Sequence, residues 1–271
     1  DVDIIEPGDN ATTSMVAAGK ADFGVSYQED VTYALTSEDP LPIKTIATII
    51  QHNTSGFVSL KSANINSVKD FEGKTYAGWG APSEEAVIKA VMNEAGADFS
   101  KLNIVGSDGS GIAGLSDEVG KNKVNLGWEF YGWAIIKALQ DGYDLNYMPL
   151  ADLDNRLDYY TPVIITNKKM IKKNSDTVKK FMEATKKGYE YEIDHPSKAA
   201  EILHEDALSD TDLKFLKESQ KYLSSQYAKD ADSWGVMKDS VWDNYTDFMY
   251  ETGLIDHKID AKDQYTNEFV K

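Results

Sequence analysis

The chain has 271 residues, 41% of them hydrophobic and 27% charged, with a formal net charge of −17. That length suits one large domain or two of ordinary size, with a core that needs no covalent staples. The acidic balance argues against a nucleic-acid backbone or an anionic membrane as partner, because like charges repel; the absence of cysteine removes disulfides, thiol nucleophiles and cysteine-ligated metals.

Residues 2–5 alternate as a strand and stop at Pro7-Gly8-Asp9. A mature domain rarely begins inside a strand, so residues upstream of Asp1, a targeting segment included, are expected to be missing from this sequence. Residues 11–18 read as a short helix, 23–26 as a strand and 30–36 as a helix closed by Pro40 and Pro42. Residues 43–50, rich in Ile and Thr, and residues 56–60 read as strands. A linker, 61–66, leads to a helical turn over 67–71 and a break at Gly73, and then to a strand at 75–78.

Pro82-Ser83-Glu84-Glu85 opens a helix to about residue 95, with Ser83 as its N-cap and acids in the first turn. Strands are expected at 102–105, 124–128, 144–148 and 162–167, and helices at 112–120 and 132–141. No run of about 18 apolar residues occurs, so no segment is expected to span a bilayer. From Ser175 onward the apolar residues fall at helical spacing, as in Val178-Phe181-Met182-Thr185 and Val241-Tyr245-Phe248-Met249. Strands alternating with helices imply α/β lobes with largely parallel sheets, and the helical tail is expected to cover the first lobe. The lysine pairs between Lys168 and Lys187 read as a solvated helix face.

Two strand ends carry the chemistry. In Asn125-Leu126-Gly127-Trp128-Glu129-Phe130-Tyr131-Gly132-Trp133, a short apolar strand runs into aromatics and one carboxylate. Aromatic faces with a single charge suit a flat, nitrogen-containing ring: the faces stack on it and the carboxylate accepts from its N–H groups. The earlier stretch Asp22-Phe23-Gly24-Val25-Ser26-Tyr27-Gln28 repeats the design with a weaker polar hook. The competing reading makes these aromatics, Phe130 and Trp133 above all, core residues.

Gly109-Ser110-Gly111-Ile112-Ala113-Gly114 matches the dinucleotide fingerprint, and Glu129 lies about where a ribose-binding acid belongs. Against that reading, three residues, Gly106-Ser107-Asp108, intervene between strand and glycines, and the following helix has little room. The turn Trp79-Gly80-Ala81-Pro82-Ser83 offers helix N-terminal N–H groups, but Glu84 and Glu85 beside it favour a hydroxyl or formyl oxygen over an anion. His52, His195, His204 and His257 are scattered without ligand spacing, so neither a metal site nor a resident cofactor is expected.

Several stretches together carry a family resemblance. They are Ala18-Gly19-Lys20-Ala21-Asp22-Phe23-Gly24-Val25, Gln51-His52-Asn53-Thr54-Ser55-Gly56, Phe71-Glu72-Gly73-Lys74-Thr75-Tyr76, Trp79-Gly80-Ala81-Pro82-Ser83-Glu84-Glu85-Ala86, Tyr159-Tyr160-Thr161-Pro162-Val163-Ile164-Ile165 and Lys187-Gly188-Tyr189. In their order and spacing the chain resembles the solute-binding proteins of ABC importers that carry thiamine-pyrimidine precursors. The resemblance implies an α/β, two-lobed periplasmic-binding-protein (type II) clamp with two hinge strands and a helical C-terminal tail. It places lobe one at 1–65 and 163–271 and lobe two at 66–162.

The family is periplasmic or tethered outside the membrane as a lipoprotein. Its members bind hydroxymethylpyrimidine or the formylamino-aminomethyl analogue, act alone, close on the ligand and deliver it to permease subunits. Carried over, the resemblance implies stacking by Tyr27, Trp79, Trp128 and Tyr131 and acceptance of aminopyrimidine hydrogen bonds by Glu129, with Gln28, Asn53, Thr54, Ser83 and Glu84 as lesser contacts.

The chain departs from the family in two ways. A strand, loop and helix that precede the segment matching Asp1 are absent here, and so is the cysteine-rich iron motif of related eukaryotic enzymes that make the pyrimidine, which argues against that activity. The alternatives are the same fold binding a sulfonate, nitrate or riboflavin precursor, a dinucleotide-dependent oxidoreductase using Gly109 to Gly114, and a surface adhesin.

Overall fold

The computed structural model describes residues 1–8, 11–120 and 123–271. Its strands are β1 (Phe23–Ser26), β2 (Ile43–Thr48), β3 (Ser55–Leu60), β4 (Thr75–Gly78), β5 (Asn103–Gly106), β6 (Leu126–Phe130), β7 (Leu145–Pro149) and β8 (Val163–Asn167). The chain divides into two compact units, Asp1–His52 with Tyr159–Pro196 and Ser224–Lys271, and Asn53–Asp158 with Ser197–Leu223. Residues 53–65, expected in the first lobe, belong to the second unit, and 159–162 belong to the first. The tail does not cover the first unit alone, since 197–223 joins the second. There Phe215 and Leu216, 2% and 0% exposed, pack with Ile136 and Ala200.

The first unit is built on a three-stranded sheet ordered β1-β8-β2. Its central strand β8 reads Val-Ile-Ile-Thr-Asn and is buried along four of five residues, as a strand covered on both faces must be. It runs antiparallel to both neighbours. The expected parallel sheet is therefore corrected here: β1 and β2 point the same way across the helix Gln28–Thr36, but β8 is inserted between them in the opposite sense.

Val16, Val31, Ile43, Val163, Ile165 and Trp242 form the core of this unit. Trp234 stacks on Tyr189 at 4.4 Å and donates from its indole nitrogen to the Ile49 carbonyl at 3.2 Å. Residues 2–5 are not a strand: Val2, Ile4 and Ile5 are exposed, and no neighbouring strand pairs with them among the described residues.

Glu192, on the helix Ser175–Asp194, is buried, and neither of its carboxyl oxygens has a hydrogen-bond partner. Burial pushes its carboxyl up from 4.5 to about 7. A carboxyl raised in the folded state stabilises the fold while it keeps its proton, and that contribution is lost as pH rises from 4.5 through about 7. Glu192→Gln is therefore expected to stabilise the protein most at neutral and higher pH and to flatten the decline in Tm across that window. Glu29, also raised by burial to about 7, leaves part of the slope in place. A variant whose Tm–pH curve overlays the parent would refute this reading of Glu192.

The second unit holds a five-stranded sheet ordered β5-β4-β6-β3-β7. β4 pairs in parallel with β5 and β6, while β3 is antiparallel to β6 and β7, so this sheet is mixed where the first is wholly antiparallel. The helix Pro82–Glu94 buries Val87, Ile88, Val91 and Met92. Its N-cap is Ala81 rather than Ser83, because Pro82, with no N–H to satisfy and φ already set, takes the first helical position. Only a single 3-10 turn, Gly111–Gly114, forms where a helix over 112–120 was expected. The helix expected at 132–141 opens as a wide turn, Tyr131–Ile135, and continues as Ile136–Gln140.

Candidate functional site

The parallel strands β4 and β5 end together, with Gly78 opposite Gly106, and the register of Tyr76 opposite Leu126 sets Trp128 of β6 level with that edge and Glu129 one residue beyond it. Loops outside the carboxyl ends of such strands are where open α/β sheets hold ligands. A pocket of about 220 Å³ lies there, floored by Val58, Ala77 and Gly127 and walled by Trp79, Trp128 and Glu129. The loop after β5 supplies Ser107, Asp108, Ser110 and Gly111.

Glu84 sets the geometry of one wall. It is 2% exposed, and its Oε1 accepts from the Tyr76 hydroxyl and from the Trp79 N–H at 3.3 Å. Its Oε2 accepts from the Gly80 N–H at 2.9 Å. The N–H groups expected to hold a hydroxyl or formyl oxygen are thus taken by the chain's own carboxyl, reaching back from the third helical position as the acid of a capping box does. Gly78 is required by this arrangement, since a Cβ there would lie 2.0 Å from Glu84 Oε1 and 2.6 Å from Tyr76 Cε1.

Trp79, 58% exposed, is thereby fixed by its backbone while its indole stays free to meet a guest. It meets Trp128 edge-on, with centroids 5.2 Å apart and planes at 62°. Trp128 is backed by Phe57 at 5.8 Å, and β6 is held against β3 through the pairs Phe57–Trp128 and Gly56–Glu129. Glu129 is half-buried, and burial raises its carboxyl above the usual carboxylate range. Its Oε1 would be 3.7 Å from a Cβ added at Gly111, so the carboxyl lies beside the glycine-rich loop. Two aromatic faces and one acceptor therefore converge on a small volume.

The remaining sequence-derived residues fall elsewhere. Gln28 is fully buried, accepts from the Tyr160 N–H at 2.8 Å and donates to the Val241 carbonyl at 3.3 Å. Asn53 donates to the Leu157 carbonyl at 2.9 Å and accepts from the N–H and hydroxyl of Ser55. Both hold loops together. Thr54 is buried, and its carbonyl accepts from the Tyr131 N–H and the Tyr147 hydroxyl. Ser83 is 6% exposed. Tyr131 packs among tyrosines, 5.3 Å from Tyr147 and 4.7 Å from Tyr222. Tyr27, 46% exposed, precedes the helix Gln28–Thr36 in the first unit.

Asp108 and Ser107 were not foreseen as wall residues. The signal was present in the glycine-rich loop that follows a strand, which drew attention as a nucleotide fingerprint instead. Its single 3-10 turn presents no helix N-terminus of the kind a pyrophosphate needs.

The fold is that of the periplasmic binding proteins. The alkanesulfonate-binding protein SsuA of Xanthomonas axonopodis pv. citri, solved with MOPS bound, matches 94% of this chain and 83% of its own with a TM-score of 0.67, at 10% identity. Within that class the chain belongs to the NMT1/THI5-like family, which it matches over residues 1–199. It is 26% identical over 213 residues to a formylaminopyrimidine-binding protein of Halalkalibacterium halodurans, covering 75% of this chain but only 60% of that relative's length. It is 25% identical over 255 residues to the riboflavin-binding protein RibY of Chloroflexus aurantiacus, covering 87% of this chain and 67% of that one. Among the described residues no helix is long and apolar enough to cross a membrane, and no group of acidic or histidine side chains has the arrangement to hold a metal ion.

Proposed function

We propose that the protein is the extracytoplasmic solute-binding component of an ABC importer and captures a thiamine-pyrimidine precursor without changing it chemically. The observation that carries this reading is the convergence of Trp79, Trp128 and Glu129 on one pocket at the ends of β4 and β6. The indoles supply stacking faces and Glu129 accepts from ring and amino N–H groups. Gln28, Asn53 and Glu84 act by holding backbone in place rather than by touching the guest. A pocket of about 220 Å³ is smaller than the ~300 Å³ at which pockets for drug-sized ligands begin, which favours one ring over a fused tricycle such as a flavin. The protein acts as a monomer that presents its loaded form to the permease.

Calorimetric titration with hydroxymethylpyrimidine and its formylamino-aminomethyl analogue tests the assignment. Submicromolar binding of either supports it, and a folded protein that binds neither removes it. Glu129→Gln is expected to weaken binding by about 1.5–3 kcal/mol, the size of a hydrogen bond to a charged group; an unchanged Kd would take Glu129 out of the site. Trp128→Ala is expected to weaken binding while the thermal transition stays cooperative. Its unfolding would instead make Trp128 a core residue, backing Phe57 alone.

A further inference from the structure

The charges that the described residues bring to the lining of the pocket are of one sign. Among the described residues that line it Asp108 and Glu129 are carboxylates, and none is lysine, arginine or histidine. The titratable groups that sense Glu129 or share its pocket are Tyr76 on β4, Tyr147 on β7 and Asp108 on the loop after β5. A third carboxyl, Glu84, lies behind Trp79 on the helix Pro82–Glu94. The one arginine in the chain, Arg156, is engaged by Asp154, from Nε at 3.1 and 3.0 Å and from Nη2 at 2.6 Å. The planar donor fork that recognises phosphate or sulfonate is therefore not offered to this pocket. Two indoles and two carboxylates, with no base among the described lining residues, form a receptor for positive charge: the ring faces attract a cation and the carboxylates neutralise it.

Building on the pocket assigned above, we propose that it takes its guest as a cation, a flat, unphosphorylated nitrogen base held against Trp79 and Trp128 and paired with Glu129. A phosphate monoester or sulfonate of the same ring would bring its charge against Asp108 and Glu129 with nothing to offset it. A base that titrates near neutrality takes its proton from solvent onto a ring nitrogen, so binding and protonation are linked. Above the guest's own pKa its affinity falls about tenfold per pH unit, whereas a permanently charged analogue shows no such loss. On the acid side both weaken as Glu129 takes up a proton.

The test is calorimetry in buffers of differing ionisation enthalpy, between roughly pH 5.5 and 8.5. The probes are hydroxymethylpyrimidine, its ring-N-methylated cation and its phosphate monoester. The expected result is proton uptake with the parent pyrimidine, a Kd for the methylated cation that stays level at high pH, and no binding of the phosphate. A parent pyrimidine that binds with no proton uptake and a level Kd overturns the charge assignment and leaves the pyrimidine reading standing.

If no pyrimidine binds at any pH, the pyrimidine reading falls and the charge assignment is decided separately. Quenching of tryptophan emission by benzamidinium is compared with quenching by neutral benzamide. A preference for the cation of about tenfold or more, abolished in Glu129→Gln, sustains the assignment. Equal quenching, or none, overturns it.

Discussion

Glu84→Ala is expected to cost the second unit about 3–5 kcal/mol, since each buried donor left without an acceptor costs about 1–3 kcal/mol. Three donors lose their acceptor at once: the Tyr76 hydroxyl and the N–H groups of Trp79 and Gly80. Tyr76 is fully buried, so its hydroxyl is shut off from bulk solvent. The same change releases the turn that carries Trp79, so ligand affinity is expected to fall along with stability even though Glu84 does not face the guest. Glu84→Gln keeps one acceptor oxygen and sets an amide donor against N–H donors, and its effects should be intermediate. Urea unfolding followed by tryptophan fluorescence measures the first effect and calorimetry the second. An alanine variant with the parent's midpoint would show that the turn is held by something else.

The second large effect is expected from Gly56→Ala. Gly56 lies in β3 with β6 on one side and β7 on the other, opposite Glu129 and Pro149. A Cβ there would be 2.4 Å from the Met148 carbonyl oxygen, 2.9 Å from its carbon and 2.8 Å from the Tyr147 ring. Two of these contacts are backbone of a paired strand, which has no rotamer to yield. A loss of about 3 kcal/mol, the upper end of ordinary overpacking, is expected. Because the displaced ladder holds Glu129, Kd should rise in any population that still folds. A variant that keeps the parent's Tm and Kd would mean that the sheet can open at this point.

The strands were largely legible because each of them is a short apolar or β-branched run between turn residues: β1 and β4 fall where the pattern puts them, and β8 within a residue. Pairing direction was not, since the alternation and composition of Val163-Ile164-Ile165 are the same whichever way the neighbours run. The same limit applies to the tail. The apolar stripe Leu213-Leu216 states that a face is buried but not against what, and it packs in the second unit rather than the first.

In the site, the aromatic and acidic residues at the end of β6 stood out because they break the logic of a solvent-exposed loop. Gln28, Asn53 and Glu84 looked equally suited to a ligand. The partners of Gln28 are 132 and 213 residues away, and the carbonyl to which Asn53 donates is 104 away, separations on which local sequence is silent. The partners of Glu84 lie only four to eight residues away. They were missed because two of them are backbone N–H groups, which every residue but proline carries.

The position of β8 between β1 and β2 also has a consequence in time. The strands on either side are made before it, and the whole run from β3 to β7 is synthesised before β8 can join them. Closure of the same unit waits longer still, for Phe269 and Val270, 7% and 1% exposed, to reach its core. Contacts of such sequence separation form slowly. Until β8 arrives, β1 and β2 each present strand edges without a partner, the condition in which chains pair with one another instead of with themselves. The interval of greatest aggregation risk is therefore set by the delay between β2 and β8 rather than by the final stability of either unit, and slowing unwanted encounters during that delay should raise folding yield more than any added core contact.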